Sequence, residues 1–234
     1  MVNKKILLRG YKSILKPDSP AIALGCCFIA IGALLKNVGF NIHESIFSTM
    51  LIYALPGSLV MAESILIGAS LLSIFISVWF VNARLYPMAV SLFPIMMDEH
   101  QPKWKYYLSC HFIAVSAWLI MKSNYEFIDK KDRVDFWIGI GLATWSVAVF
   151  STILGFYLSD YLNKDMLIGL AILNPIYFTC MLVGAMKTTQ INLSVILGGI
   201  LGPIFYFFSP EWSILLGGLV AGTVAFFIGE KNVN

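Results

Sequence analysis

The chain has 234 residues, 59% hydrophobic and 12% charged, with a formal net charge of +3 and a mean hydropathy of +0.81. A soluble domain carries about 25% charged residues, so the composition excludes one soluble core and points to a polytopic integral membrane protein in a lipid bilayer. No basic run is interleaved with aromatics on a polar face, which excludes a nucleic-acid partner.

Residues 1–19 read as a basic cytoplasmic segment: Lys4, Lys5, Arg9, Lys12 and Lys16 precede the apolar stretch Ala21 to Leu35. The outline is that of a signal peptide, but the stretch runs to Lys36 with no polar small-residue cleavage region, so an uncleaved first helix is expected. Spanning-length apolar stretches then predict an all-α fold of about eight transmembrane helices (7–8), some broken at Pro/Gly. They are 20–36, 45–59, 62–82, 106–122, 135–158, 166–186, 190–208 and 212–228, within a single transporter domain over 20–230. Residues 85–97, with Pro87 and Pro94, are either re-entrant or a continuation of the third helix. The count is seven if Pro56-Gly57 lies inside one long tilted span. With eight spans and the N-terminus inside, inside loops hold eleven Lys/Arg and outside loops four. That bias places both termini in the cytoplasm, and the protein in the cytoplasmic (inner) membrane.

Trp104, Trp137 and Trp212 read as interface anchors. Gly198/Gly202 and Gly218/Gly222 are small-xxx-small pairs that let helices approach closely. Cys26, Cys27, Cys110 and Cys180 lie in apolar segments. They read as small buried side chains, neither a disulfide framework nor a metal site, and no cofactor is expected.

Arg84 is the costliest residue, since an arginine at mid-bilayer costs about 2.5–3.5 kcal/mol on insertion scales. Such a residue implies a partner, a water-filled cavity or a ligand; otherwise it sits at a helix end and snorkels. Two breaks fall within apolar segments: Leu55-Pro56-Gly57-Ser58 and Leu173-Asn174-Pro175-Ile176-Tyr177. Proline frees a carbonyl and glycine admits close approach, so a break exposes backbone groups to a solute. A plain proline kink explains each break equally well. Glu63 pairs with Arg84, carries a proton, or caps the start of the third helix, the last being the better reading. His111 is a proton relay or a hydrogen-bonded interface residue. No H-E-x-x-H, G-x-S-x-G or P-loop is present, and no acidic dyad, so no enzyme activity is expected.

The run Ala54-Leu55-Pro56-Gly57-Ser58, then Asn82-Ala83-Arg84-Leu85-Tyr86-Pro87 and Ser91-Leu92-Phe93-Pro94, resembles the AzlC family, the large subunit of branched-chain amino-acid exporters. The resemblance rests on an N-x-R element followed by Ser-Leu-x-Pro, on the basic N-terminus and on the Gly-rich tail. It implies a secondary exporter of branched-chain or related apolar amino acids and a small AzlD-like membrane subunit. On that implication Pro56, Gly57, Ser58, Asn82, Arg84, Asn174, Pro175 and Tyr177 bind substrate, with Phe178 and Met181 adding an apolar wall. Glu63 and His111 are the coupling-ion candidates. The chain departs from the family at Gly57-Ser58-Leu59-Val60, at Ser109-Cys110-His111 and at Leu170 to Pro175, where polar residues are changed or missing. A non-transporting scaffold or permease-like subunit is the alternative. A lipid-acting enzyme comes last, since no acid–base or metal cluster appears.

Overall fold

The computed structural model describes residues 3–14, 21–161, 189–208 and 213–231, with isolated residues between 163 and 186. All regular structure among the described residues is helical. The chain forms two compact units, Met1–Asn174 and Pro175–Asn234.

The first unit is organised around α9, Arg133–Leu158, the expected 135–158 span. Its 26 residues reach about 39 Å at 1.5 Å per residue, enough for a hydrocarbon core of about 30 Å. Its inward face is made of small residues, among them Gly139, Gly141, Ala143, Thr144, Ala148, Ser151, Thr152 and Gly155. Helices gain little from apolar burial against lipid, so such residues work by letting backbones touch. Two helices use this face. The segment read as a basic tail folds as α1, Lys4–Ile14, along the first turns of α9. A Cβ on Gly10 would strike the Phe136 carbonyl, and one on Gly139 would strike that of Leu7. Helix α2, Ala21–Asn37, continues along the remainder. There Gly32 meets Thr152, Gly155 meets Ile29, and Lys36 pairs with Asp160 at 2.6 Å. Both helices therefore run parallel to α9.

Between α2 and α9 the chain makes two hairpins and one bent span. Helix α3, Ile42–Ile52, starts at a capping box: Asn41 and Glu44 bond each other's backbone amides. It enters from the Asp160 end of α9, with Thr49 at 3.1 Å from Thr152 and Trp145 Nε1 donating to the Met50 carbonyl. The chain turns back at Tyr53-Ala54. Helix α4, Leu55–Leu66, returns to the end it came from, Met61 lying opposite Ser48. Helix α5, Leu71–Asn82, capped by Ser70, re-enters and ends where Asn82 lies against Gly57. Helix α6, Leu85–Met96, continues it across a 44° bend to the Arg133 end, where Arg133 donates to the Ile95 carbonyl. Helix α7, Lys103–Ser109, the 3-10 turn Cys110–Phe112 and α8, Val115–Asn124, form a hairpin from that same end. Phe112 packs into the groove over Gly141.

Several expected spans are thereby corrected. Residues 45–59 and 62–82 are not single helices, because the chain folds back at 53–54 and turns at 67–70, where Gly68 has φ +72°. Residues 106–122 are not one helix either, being divided at Cys110–Phe112. Lys105 meets Asp135, and Gln101 meets the Lys131 carbonyl, so the loops before α7 and after α8 share one end. Residues 85–97 follow the preceding helix across the 44° bend, as a broken span or a re-entrant loop. Among the described residues two helices, Lys130–Leu158 and Gln190–Phe208, are long and apolar enough to cross a membrane, and the bent α5–α6 pair makes a third if it is one span. The 166–186 stretch lies largely outside the described residues.

The second unit contains α10, Thr189–Phe208, and α11, Ser213–Lys231, packed antiparallel. A Cβ on Gly217 would lie 3.2 Å from Gly202 Cα, and Gly198 faces Ala221. The α11 seam is therefore Gly217, Ala221 and Ala225. Gly218 and Gly222, expected at the seam, meet nothing among the described residues. A pair spaced by four falls on one helix face, but the sequence does not say which face is turned inward.

Candidate functional site

The two hairpins enter from opposite ends of α9, and their tips meet near its middle. At the first tip Tyr53 is left-handed, φ 35° and ψ 38°, a conformation that costs a non-glycine residue about 1–2 kcal/mol. Its ring is stacked on Phe28 at 6.4 Å and tilted against His111 of the second tip at 6.0 Å. Ala54 follows in extended form as the N-cap of α4 and supplies no side-chain bond. The first helical bond runs from the Ser58 amide to the Ala54 carbonyl at 2.9 Å, so the Leu55 and Gly57 amides precede the ladder. At the second tip Ala114 is the N-cap of α8, again without a side-chain bond. Two uncapped helix N-termini thus lie at mid-depth, each with a partial positive charge. The C-termini of α3 and α5, carrying the opposite sign, reach the same level.

Three buried polar atoms at this level have no hydrogen-bond partner among the described residues: Tyr53 Oη, Ser58 Oγ and Asn82 Oδ1. Tyr53 is 3% and Ser58 1% exposed. Thr144 lies beside Tyr53, and its hydroxyl donates to the Ile140 and Gly141 carbonyls. Leaving a buried polar group unsatisfied costs about 1–3 kcal/mol, and native structures hold few. Gly57 admits the close approach: a Cβ would sit 2.5 Å from Asn82 Nδ2, so the Asn82 amide rests on the α4 backbone.

The structure therefore brings Pro56, Gly57, Ser58 and Asn82 together, and sets His111 against Tyr53. Arg84 falls at the bend between α5 and α6, halfway along the bent span, on its exposed side. Glu63 stands apart. It lies in the last turn of α4, about 9 Å along the helix from Gly57, and Ser70 caps α5. Its reading as a helix-start cap is corrected, because the turn at 67–70 puts it at the negative end of a dipole. Asn174, Pro175, Tyr177, Phe178 and Met181 lie outside the described residues. No group of His, Cys, Asp and Glu among the described residues is arranged to hold a metal ion.

Sequence reasoning missed Tyr53, which lies in an apolar run and owes its role to a left-handed turn. It also missed a buried ion pair. Lys105 Nζ lies 2.9 Å from Asp135 Oδ1, with side chains 3% and 1% exposed. The other carboxylate oxygen accepts the Asn3 amide at 2.7 Å, and Lys105 also donates to Gln101 at 2.9 Å. Both charges flank apolar stretches and read as loop residues; only the hairpin brings them together.

The family model described as AzlC protein matches residues 20–162. No curated protein and no solved structure matches the chain.

Proposed function

The chain belongs to the AzlC family, which is associated with branched-chain amino-acid transport, and from that premise we propose a secondary transporter exporting branched-chain or related apolar amino acids across the cytoplasmic membrane. The observation that carries the reading is the set of three buried, unpartnered polar atoms beside an uncapped helix N-terminus at mid-depth. An amino acid is a zwitterion with an apolar side chain. Its carboxylate suits the α4 amides and the hydroxyls of Ser58 and Tyr53. Its ammonium suits Asn82 Oδ1 and the carbonyls at the ends of α3 and α5. The apolar wall comes from Phe28, Leu55 and Ala54, all buried. No bond is made or broken, so the protein needs no catalytic group, only different affinities in its two access states.

In this reading the carboxylate is held at the break before Ser58 rather than by Arg84, which falls at the bend between α5 and α6. Orientation follows from charge. Lys4, Lys5, Arg9, Lys12, Lys103, Lys105, Lys122, Lys130, Lys131 and Arg133 lie on or beside the Arg133 end of α9, against Lys36 at the other. That asymmetry supports a cytoplasmic Arg133 end and N-terminus.

The test is efflux of radiolabelled valine, leucine and methionine from loaded cells, with and without this chain and its genomic neighbour. The expected result is export that Asn82→Ala abolishes and Arg84→Ala reduces less. Export undiminished in Asn82→Ala, with the variant inserted at normal level, would sink the assignment.

A further inference from the structure

The two ends of the first unit are closed in different ways. From their tips the two hairpins lead to opposite ends of α9, α7–α8 to the Arg133 end and α3–α4 to the Asp160 end. At the second end Lys36 of α2 pairs with Asp160 across the surface, with side chains 27% and 64% exposed; such a pair is screened and contributes little. The first is closed by a buried polar knot. Lys105 and Asp135 join α7 to α9, the Asn3 amide adds α1 through Asp135 Oδ2, and Gln101 Nε2 reaches the Lys131 carbonyl at 2.7 Å. Below the knot Trp137 Nε1 donates to the Ser109 carbonyl at 3.1 Å, and Ser109 is 1% exposed.

A buried ion pair is weak evidence for added stability, because desolvation offsets the attraction. It does suit a contact that must part. When the seam opens, both charges are rehydrated, whereas an apolar seam would expose surface to water. Removing one partner leaves the other buried and uncompensated, which favours the open form.

We propose that Lys105 and Asp135, braced by Asn3, are the latch of the gate on the cytoplasmic side, and that α7–α8 is the element it releases. The assignment of that face rests on the transport reading above. An exporter loads from the cytoplasm, so the form described here is shut on its loading side, and the latch opens once per cycle.

The test needs no substrate. Ser109→Cys is placed in a chain whose Cys26, Cys27, Cys110 and Cys180 are replaced by alanine, and a membrane-impermeant thiol reagent is applied to each face of sealed vesicles. With the latch intact the thiol reacts slowly. Asp135→Asn and Lys105→Met are each expected to raise the rate roughly tenfold or more from the basic face only. Asp135→Glu, which keeps the charge, and the exchange Lys105→Asp with Asp135→Lys bring it back toward the parent rate. Unchanged labelling in both single variants, or an equal rise from both faces, overturns the latch. If the single variants fail to insert, the exchange variant decides: parent-like labelling supports the pair, and fast labelling from both faces refutes it. Labelling is read without amino acid, so failure of the substrate assignment leaves this result standing.

Discussion

Tyr53, Ser58 and Asn82 carry unsatisfied polar atoms in a region where each costs about 1–3 kcal/mol. A group kept at that cost and used only by a ligand has a recognisable signature on mutation. Ser58→Ala and Tyr53→Phe remove a hydroxyl whose oxygen has no hydrogen-bond partner among the described residues. We expect both to leave thermal stability unchanged or slightly raised, while apparent affinity for valine falls about 10-fold or more, the loss of a hydrogen bond to a charged group being about 1.5–3 kcal/mol. Melting curves in detergent with and without valine check this; a clear fall in the ligand-free melting temperature would make the hydroxyls structural. Gly57 gives a second residue-level test. Its Cβ would stand 2.5 Å from Asn82 Nδ2, so Gly57→Ala is expected to cost about 1–3 kcal/mol by overpacking. In the double variant with Asn82→Ala much of that cost should vanish, which a double-mutant cycle measures directly.

The expected elements were most accurate where one helix is simply long and apolar. Helix α9 is legible because a 26-residue run has no internal breaker, and Pro56 does mark a break. The two hairpins were not legible. Hydropathy sums over a window and does not distinguish a crossing helix from a short one that turns back, and 106–122 has the composition of both. The turns are made by Tyr53 in a left-handed conformation and by a 3-10 turn at Cys110–Phe112; Pro56 marks the first as a break without showing that the chain reverses, and nothing marks the second. The role of α9 as the common packing surface was equally hidden, because a small-residue face has meaning only once its neighbours are known. At this scale the seams are testable. Gly139→Leu drives a side chain into the Leu7 carbonyl, and Gly155→Leu into that of Ile29; backbone cannot yield as a flexible side chain can. Each is expected to abolish the monodisperse peak on gel filtration. Gly218→Ala, with nothing within 4 Å, should leave that peak intact, and equal behaviour of the three variants would remove the seam argument.

Across the whole molecule, the hairpins give the first unit an inverted arrangement: α2, hairpin α3–α4 and half-helix α5 on one side, then half-helix α6, hairpin α7–α8 and α9 on the other. The sequence offers no repeat to betray it, since the inward faces differ: Thr49 bonds Thr152 on one side, and Trp137 bonds Ser109 on the other. The arrangement makes a prediction that eight simple spans do not. In an alternating topology the loops at 98–102 and 125–132 lie on opposite faces, whereas Gln101 here bonds the Lys131 carbonyl at 2.7 Å. Single cysteines at Gln101 and Lys130 should therefore react with an impermeant reagent from the same face, and cysteines at Asn37 and Ala69 from the opposite one. The same set tests charge orientation, because the face shared by 101 and 130 bears nearly all the described Lys and Arg of this unit and should be the cytoplasmic one. If 101 and 130 label from opposite faces, the α7–α8 hairpin is a crossing helix, the tips no longer meet beside α9, and the mid-depth site loses the geometry on which transport was argued.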